Sequence, residues 1–276
     1  MLTSTERQLW SRRPQQPLSM FQRWEHLLFL HWEIDPEELQ RCLPSGLQVD
    51  LFQGRAYLGV VPFLMRGIRP WWGPAVPWLS NFLELNLRTY VIDPQGRPGV
   101  YFFALHANRW LACAWARTWF SLPYTWSRLR YACSDGQRHV LQIGSRRRNS
   151  KFHGQFKYQP GGTAAVAVPD SLEEFLVDRY LLFTPCGRRL SSGQVHHPPY
   201  QIQGVAAELQ LKGFWQAHGF PELSTEPVHS CYCSGVQVEV FPLLPLPAPG
   251  APLRASSSPR GPVPPGAPAR KFPTGD

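Results

Sequence analysis

Asn81-Phe-Leu-Glu-Leu-Asn-Leu-Arg-Thr-Tyr-Val-Ile92, then Asp93-Pro-Gln-Gly-Arg-Pro-Gly99 and Val100-Tyr-Phe-Phe-Ala-Leu-His106, is the stretch that decides the fold. A strand turns successive side chains to opposite faces, so Leu83, Leu85, Leu87 and Val91 lie on one side and Glu84, Asn86, Arg88 and Tyr90 on the other. The Pro- and Gly-rich segment between the two apolar runs predicts an antiparallel hairpin. After His106, Asn108 is placed to cap a helix reaching about Phe120, with Leu111, Trp115 and Thr118 or Trp119 at helical spacing. That helix stops in Ser121-Leu-Pro-Tyr124.

The row of carboxylate, amide, guanidinium and phenol has two readings. It is either the wet face of an antiparallel sheet or, in a closed or cone-like barrel, an inward face that lines a polar pocket. Solvated faces usually carry Lys, Thr, Ser or Glu, whereas Asn, Arg and Tyr in register with Glu can hydrogen-bond one another.

With 276 residues, 43% of them apolar and 13% aromatic, the chain can build one large core or two small ones. No apolar run reaches the length that spans a bilayer, and the N-terminal residues lack the apolar stretch of a signal peptide, so a soluble cytoplasmic protein is expected. The six cysteines have no disulfide-scaffold or CxxC spacing, which agrees with a reducing compartment. Cys231 and Cys233 point to the same side of a strand near His229. Two half-buried thiols are the commoner outcome of such a pair, and no metal is expected. The net charge of +9 is carried by arginine: of 28 basic residues only Lys151, Lys157, Lys212 and Lys271 are lysine. This reads as coding bias rather than a phosphate-binding face, and the cluster Arg146-Arg-Arg-Asn-Ser-Lys151 reads as a solvated turn. Neither nucleic acid nor membrane is an expected partner.

Residues 1–20, broken by Pro14 and Pro17, read as an irregular N-terminal segment. Trp24 to Trp32 reads as a buried strand, and Asp35 caps a short helix with Pro36 at its first position. Leu47 to Phe52 and Arg55 to Phe63 form a second strand pair. Arg66 to Trp78 is too rich in Pro, Gly and Trp for a helix or inner strand; its tryptophans either cover a pocket or pack over a sheet edge. Tyr131 to Ile143 and Phe152 to Tyr158 have strand character. Ser171-Leu-Glu-Glu174 opens a helix through Tyr180. His196 and His197 diverge in a strand, which favours a structural histidine over paired metal ligands. Gln201 to Leu211 and Val228 to Val240 are the closing strands. Residues 21–241 are read as a single domain, and 242–276, rich in Pro, Ala, Gly and Ser, as a disordered tail.

The motifs Phe29-Leu-His-Trp, Leu43-Pro-Ser-Gly-Leu-Gln-Val-Asp, Gly59-Val-Val-Pro-Phe, Glu84-Leu-Asn-Leu-Arg-Thr-Tyr-Val, Gly99-Val-Tyr-Phe-Phe, Ala116-Arg117 and Leu122-Pro-Tyr resemble, in that order, the YqjF-like or DUF2071 family. So do Leu172-Glu-Glu-Phe-Leu, Arg179-Tyr180 and His197-Pro. More distantly that family is similar to acetoacetate decarboxylase. The resemblance implies a β-rich α+β fold: a cone-shaped, mostly antiparallel β-barrel with peripheral helices and an internal pocket. Pro123 matches the decarboxylase segment that carries the Schiff-base lysine, but Tyr124 and Thr125 stand where the lysines would be. Tyrosine cannot form an imine.

The expected ligand is a small carboxylate or carbonyl compound, with or without chemistry. As catalytic groups, Glu84 would serve as base and Tyr124 as proton donor in a lysine-independent lyase, hydratase or isomerase acting on a small oxo acid. Asn86, Arg88, Tyr90, His106 and Arg117 would bind ligand, Arg88 by bidentate contact. No cofactor is expected, and homo-oligomerisation is left open. A scaffold acting through its Arg- and Pro-rich tail is the third class of function.

Overall fold

The computed structural model describes residues 3–76, 78–110, 113, 122–145, 151–186 and 189–246. The strands are β1 Met20–Ile34, β2 Gln48–Val49, β3 Ala56–Pro70, β4 Phe82–Ile92, β5 Pro98–Ala107, β6 Tyr124–Trp126, β7 Arg128–Ser134, β8 Arg138–Gly144, β9 His153–Ala165, β10 Leu181–Cys186, β11 Arg189–His196, β12 Ile202–Lys212, β13 His229–Val240 and β14 Leu244–Pro245. Among the described residues four short helices accompany them: α1 Ser4–Gln8, α2 Pro36–Arg41, α3 Leu172–Val177 and α4 Phe214–Ala217. The fold is therefore α+β and dominated by strands. Among the described residues no helix is long and apolar enough to cross a membrane.

The expected hairpin is β4–β5, running from Ile92 opposite Pro98 to Glu84 opposite Ala107. Asp93 sets the turn: its Oδ1 accepts from the backbone N–H groups of Gln95 and Arg97, and Gly96 takes the left-handed φ of +76° that a side chain would resist. The register slips between Leu87, opposite Ala104, and Arg88, opposite Phe102, so β5 bulges at Phe103. Residues directly opposite in an antiparallel pair share a face. Leu105 and Ala107 thus lie with Asn86 and Glu84, whereas His106 lies with Leu85.

Both faces of β4 are buried. Leu85 and Leu87 pack with Leu28, Leu30, Trp32 and Val60 of β1 and β3, under Leu141, Phe156 and Trp215 from β8, β9 and α4. The other face looks onto Phe29, Val61, Phe63, Leu105, Tyr200 and Cys231. β4 pairs with β3 and β5, β5 with β10, β10 with β11, β11 with β13, β13 with β1 and β1 with β3. Seven strands thus form a hydrogen-bonded circuit that returns to its start, and the polar row of β4 lies on one of its faces.

Several sequence expectations change. Residues 1–20 are not irregular throughout: Thr3 and Glu6 form a reciprocal cap that starts α1, and a 3-10 turn follows over Leu9–Ser11. β3 continues through Arg66 to Pro70, which pairs with Met20, so the first residues of the supposed aromatic loop are strand. Trp71, Trp72 and Trp78 are 62%, 74% and 57% exposed, and the Arg69 guanidinium stands over Phe21. Tyr131 to Ile143 is a hairpin, since Asp135 and Gly136 both adopt positive φ, as a tight type I′ turn requires. The helix begun at Ser171 ends at Val177, short of Tyr180. The sheet extends past Phe241, because Leu244–Pro245 pairs with Ser191 and Ser192 of β11. Most of the helix expected over 108–120 lies outside the described residues, and Asn108 Oδ1 accepts from the Leu83 N–H. The tail from 247 onward and residues 146–150 of the arginine cluster also lie outside them.

Candidate functional site

The polar row does not face water: Glu84, Asn86, Arg88 and Tyr90 are 3%, 6%, 8% and 0% exposed. It divides into two assemblies. At the Phe82 end of β4, Tyr124 Oη donates to Glu84 Oε2 at 2.7 Å. Tyr124 reaches this position because β6 lies parallel to β5, with Tyr124 beside Leu105 on the Asn86 face. Burial raises the Glu84 carboxyl to about 7, and the Tyr124 hydrogen bond offsets only part of that rise. Burial, then the neighbouring carboxylate, holds the Tyr124 phenol well above its ordinary range. The pair therefore holds an acid poised near neutrality against a phenol that keeps its proton.

The second assembly is built on Arg88 and Tyr90. Arg88 does not pair with Glu84, as sharing a face had suggested; its guanidinium donates to the Leu176 carbonyl at 3.0 Å and lies 3.5 Å from Tyr90 Oη. It also stands over the rings of Phe29 and Tyr90. Among the described residues no carboxylate lies within ion-pair distance of Arg88, and Arg88 Nε and Asn86 Oδ1 are buried without a hydrogen-bond partner. Tyr90 Oη lies 2.7 Å from both the Leu176 carbonyl and His31 Nε2. His31 Nδ1 in turn lies 3.0 Å from His229 Nδ1. Gly59 makes this crowding possible: a Cβ there would meet His31 and Tyr90 Oη at 3.2 Å and Arg88 Cγ at 3.3 Å.

Behind Tyr90 sits a buried triad. Asp50 accepts from Arg7 at 2.5 and 3.1 Å and from Arg179 at 2.8 Å. Both guanidiniums stack on Phe175, and that of Arg179 also stands 5.0 Å over the Tyr90 ring. Sequence reasoning missed His31, His229, Asp50 and Arg179 as companions of the row. A histidine inside the otherwise apolar run Leu27 to Trp32 was the available signal for His31. The other three are joined by contacts that no local pattern encodes.

His106 lies apart from the row, on the opposite face of β5. Its Nδ1 contacts Ser127 Oγ at 2.8 Å, its Nε2 contacts His218 Nε2 at 2.8 Å, and its ring packs on Phe152. Arg117 falls outside the described residues. His196 and His197 diverge: His196 Nδ1 meets the Ser11 carbonyl, while His197 is sandwiched between Tyr180 and Tyr200, and burial drives its pKa down to about 4. Cys231 and Cys233 are buried thiols, that of Cys231 pushed far up by burial. Lys151, Lys157 and Lys212 are exposed.

Residues 21–237 match the model of DUF2071, a family of uncharacterised conserved proteins. The uncharacterised protein YqjF of Bacillus subtilis is 35% identical over 212 residues, covering 76% of this chain and 85% of YqjF. An acetoacetate decarboxylase-like enzyme from Sphingomonas wittichii superposes with a TM-score of 0.57 at 14% identity, over 84% of this chain and 94% of that one. Acetoacetate decarboxylase from Legionella pneumophila does so with a TM-score of 0.55 at 12% identity, over 90% and 96%. At such identities the structural likeness is one of fold. The chain belongs to the DUF2071 family, with YqjF as a relative and an acetoacetate decarboxylase-like fold.

Proposed function

We propose that the strand circuit is a cone-shaped β-barrel whose interior binds a small carboxylate or carbonyl compound against Arg88, with Asn86 and Tyr90 beside it. One observation carries this reading: Arg88 is a buried cation with no carboxylate in reach among the described residues and an unpartnered Nε, next to the unpartnered Asn86 Oδ1. Burying a guanidinium without a counter-ion is costly, and a ligand carboxylate supplies one through charge-assisted hydrogen bonds. Titration calorimetry with pyruvate and acetoacetate, as the simplest oxo acids, tests the idea. Wild type should bind, and Arg88→Met should weaken binding roughly 30-fold or more, the equivalent of about 2 kcal/mol from a charge-assisted hydrogen bond. The variant should be as stable as wild type or more so, because Met removes an unpaired buried charge. Equal binding by both proteins, or none by wild type, counts against the reading.

The Glu84–Tyr124 pair favours a second step, proton transfer on the bound compound, as in a lyase, hydratase or isomerase. A carboxyl near 7 is half-ionised at neutral pH and can serve as acid or base. Exchange of the ligand's α-protons with deuterium, abolished in Glu84→Gln, would support an enzyme; binding without exchange supports a binding protein. Imine chemistry is not part of the proposal, because Tyr124 and Thr125 follow Pro123 and the three described lysines are exposed. Borohydride treatment in the presence of acetoacetate should leave the mass of the intact chain unchanged. A stoichiometric adduct on one lysine would overturn this part of the proposal.

A further inference from the structure

We propose that Tyr90, His31, His229 and Glu173 form a proton relay that connects the buried face of β4 to solvent, with His229 as its outer port. Two hydrogen bonds join the inner members, Tyr90 Oη to His31 Nε2 at 2.7 Å and His31 Nδ1 to His229 Nδ1 at 3.0 Å, and beyond them Glu173 Oε1 stands 4.0 Å from His229 Nε2, near enough to hand over a proton after a small side-chain movement. The carboxylate at the end is 48% exposed, whereas His31 is fully buried. What the relay would serve rests on the buried site proposed above; its wiring is independent of any ligand.

Counting protons fixes the resting state. A carbonyl oxygen has no proton, so the 2.7 Å contact between Tyr90 Oη and the Leu176 carbonyl requires the phenol to donate there. The phenol oxygen must then accept from His31, which places a proton on His31 Nε2. Burial lowers the pKa of both imidazoles, with Glu173 opposing this at His229, so each ring is neutral and carries one proton. His31 Nδ1 is therefore a lone pair and accepts from His229 Nδ1–H. This leaves His229 Nε2 as a bare acceptor at the outer end, and among the described residues it has no hydrogen-bond partner.

Every donor in the chain thus points inward. When a proton binds His229 Nε2, the Nδ1 proton of His229 passes to His31 Nδ1. The Nε2 proton of His31 passes to Tyr90 Oη, and the Tyr90 hydroxyl proton passes, in place of the Leu176 carbonyl, to an oxygen of the carboxylate or carbonyl compound proposed to bind at Arg88. One proton enters, one leaves, and both rings end neutral in the opposite tautomer, from which the reverse sequence carries a proton outward. Burial, then His229 and Arg88, oppose a lasting imidazolium at His31, while Glu173 at the outer end attracts a proton to the port.

Long-range proton–nitrogen correlation spectra of the full chain carrying nitrogen-15 histidine read these tautomers directly. In wild type, His31 should be protonated at Nε2 and His229 at Nδ1. In Tyr90→Phe the His31 Nε2–H loses its acceptor, so both rings should switch together, His31 to Nδ1–H and His229 to Nε2–H facing Glu173. Finding both wild-type rings protonated at Nε2 would overturn the relay, and this measurement needs no variant. A His229 tautomer that stays unchanged in folded Tyr90→Phe would overturn it as well.

Discussion

Asp50→Ala is expected to destabilise the protein by roughly 3–5 kcal/mol, the cost typical of removing one partner from a buried ion pair. The carboxylate is shared by Arg7 and Arg179, whose side chains are 8% and 2% exposed, so its loss strands two cations at once. The same carboxylate ties α1 to the segment after β2 and to the residues following α3. Burial alone would raise the Asp50 pKa, but Arg179 and Arg7 more than offset this and leave it below the ordinary value. A lowered carboxyl pKa contributes stability above the unfolded value, and that stability is lost as pH falls through the folded one. The Asp50 contribution should therefore persist at neutral pH and disappear only in acid. Urea unfolding of wild type and Asp50→Ala gives the difference directly. Arg13→Ala, which breaks the exposed pair with Glu239, should change stability by less than about 1 kcal/mol. Similar small losses for both variants would mean that the triad adds little to the fold.

The contrast between buried Arg179 and exposed Arg13 shows what a sequence can and cannot reveal. Both belong to a chain whose excess arginine reads as compositional bias, and nothing local to Arg179 marks it as buried. Its partner Asp50 lies far along the chain, and the contact exists only because β2 is held against β4. By contrast, the β4–β5 hairpin was legible because Asp93 and Gly96 carry out their turn chemistry within a few residues. The polar row was legible because period two is a local rule. Its surroundings were not. Whether a polar face meets water or a second layer depends on strands from both ends of the chain. The side taken by His106 depends on the bulge at Phe103, which no motif announces. The Glu84–Tyr124 contact required a parallel strand, β6, next to β5, and the resemblance, rather than periodicity, drew attention to Tyr124.

Glu84→Gln should leave stability nearly unchanged at about pH 4 and raise it by about 3 kcal/mol at about pH 8.5, measured against wild type by urea unfolding. In the folded chain burial raises the Glu84 pKa from 4.5 to about 7. Between those values the folded state holds a proton that the unfolded state has released, so wild-type stability falls as pH rises. The contribution is fully present below 4.5 and lost once pH passes about 7, and a shift of this size corresponds to about 3 kcal/mol. Gln keeps an oxygen for the Tyr124 hydroxyl and cannot ionise, so the variant escapes the loss. Asp178, which burial and then Glu174 raise to about 6, produces a decline of the same sign. It is present in both proteins and cancels in the difference. A gap that opens between about pH 4.5 and 7 therefore belongs to Glu84 alone, and a gap that stays flat would mean that the carboxyl titrates like an exposed one. The sign also separates two roles. A carboxylate kept only for structure would be stabilised in its charged form, with a lowered pKa, as Asp50 is. A raised pKa costs stability at neutral pH, and what it leaves at Glu84 is a carboxyl, hydrogen-bonded to Tyr124, that is about half protonated near pH 7.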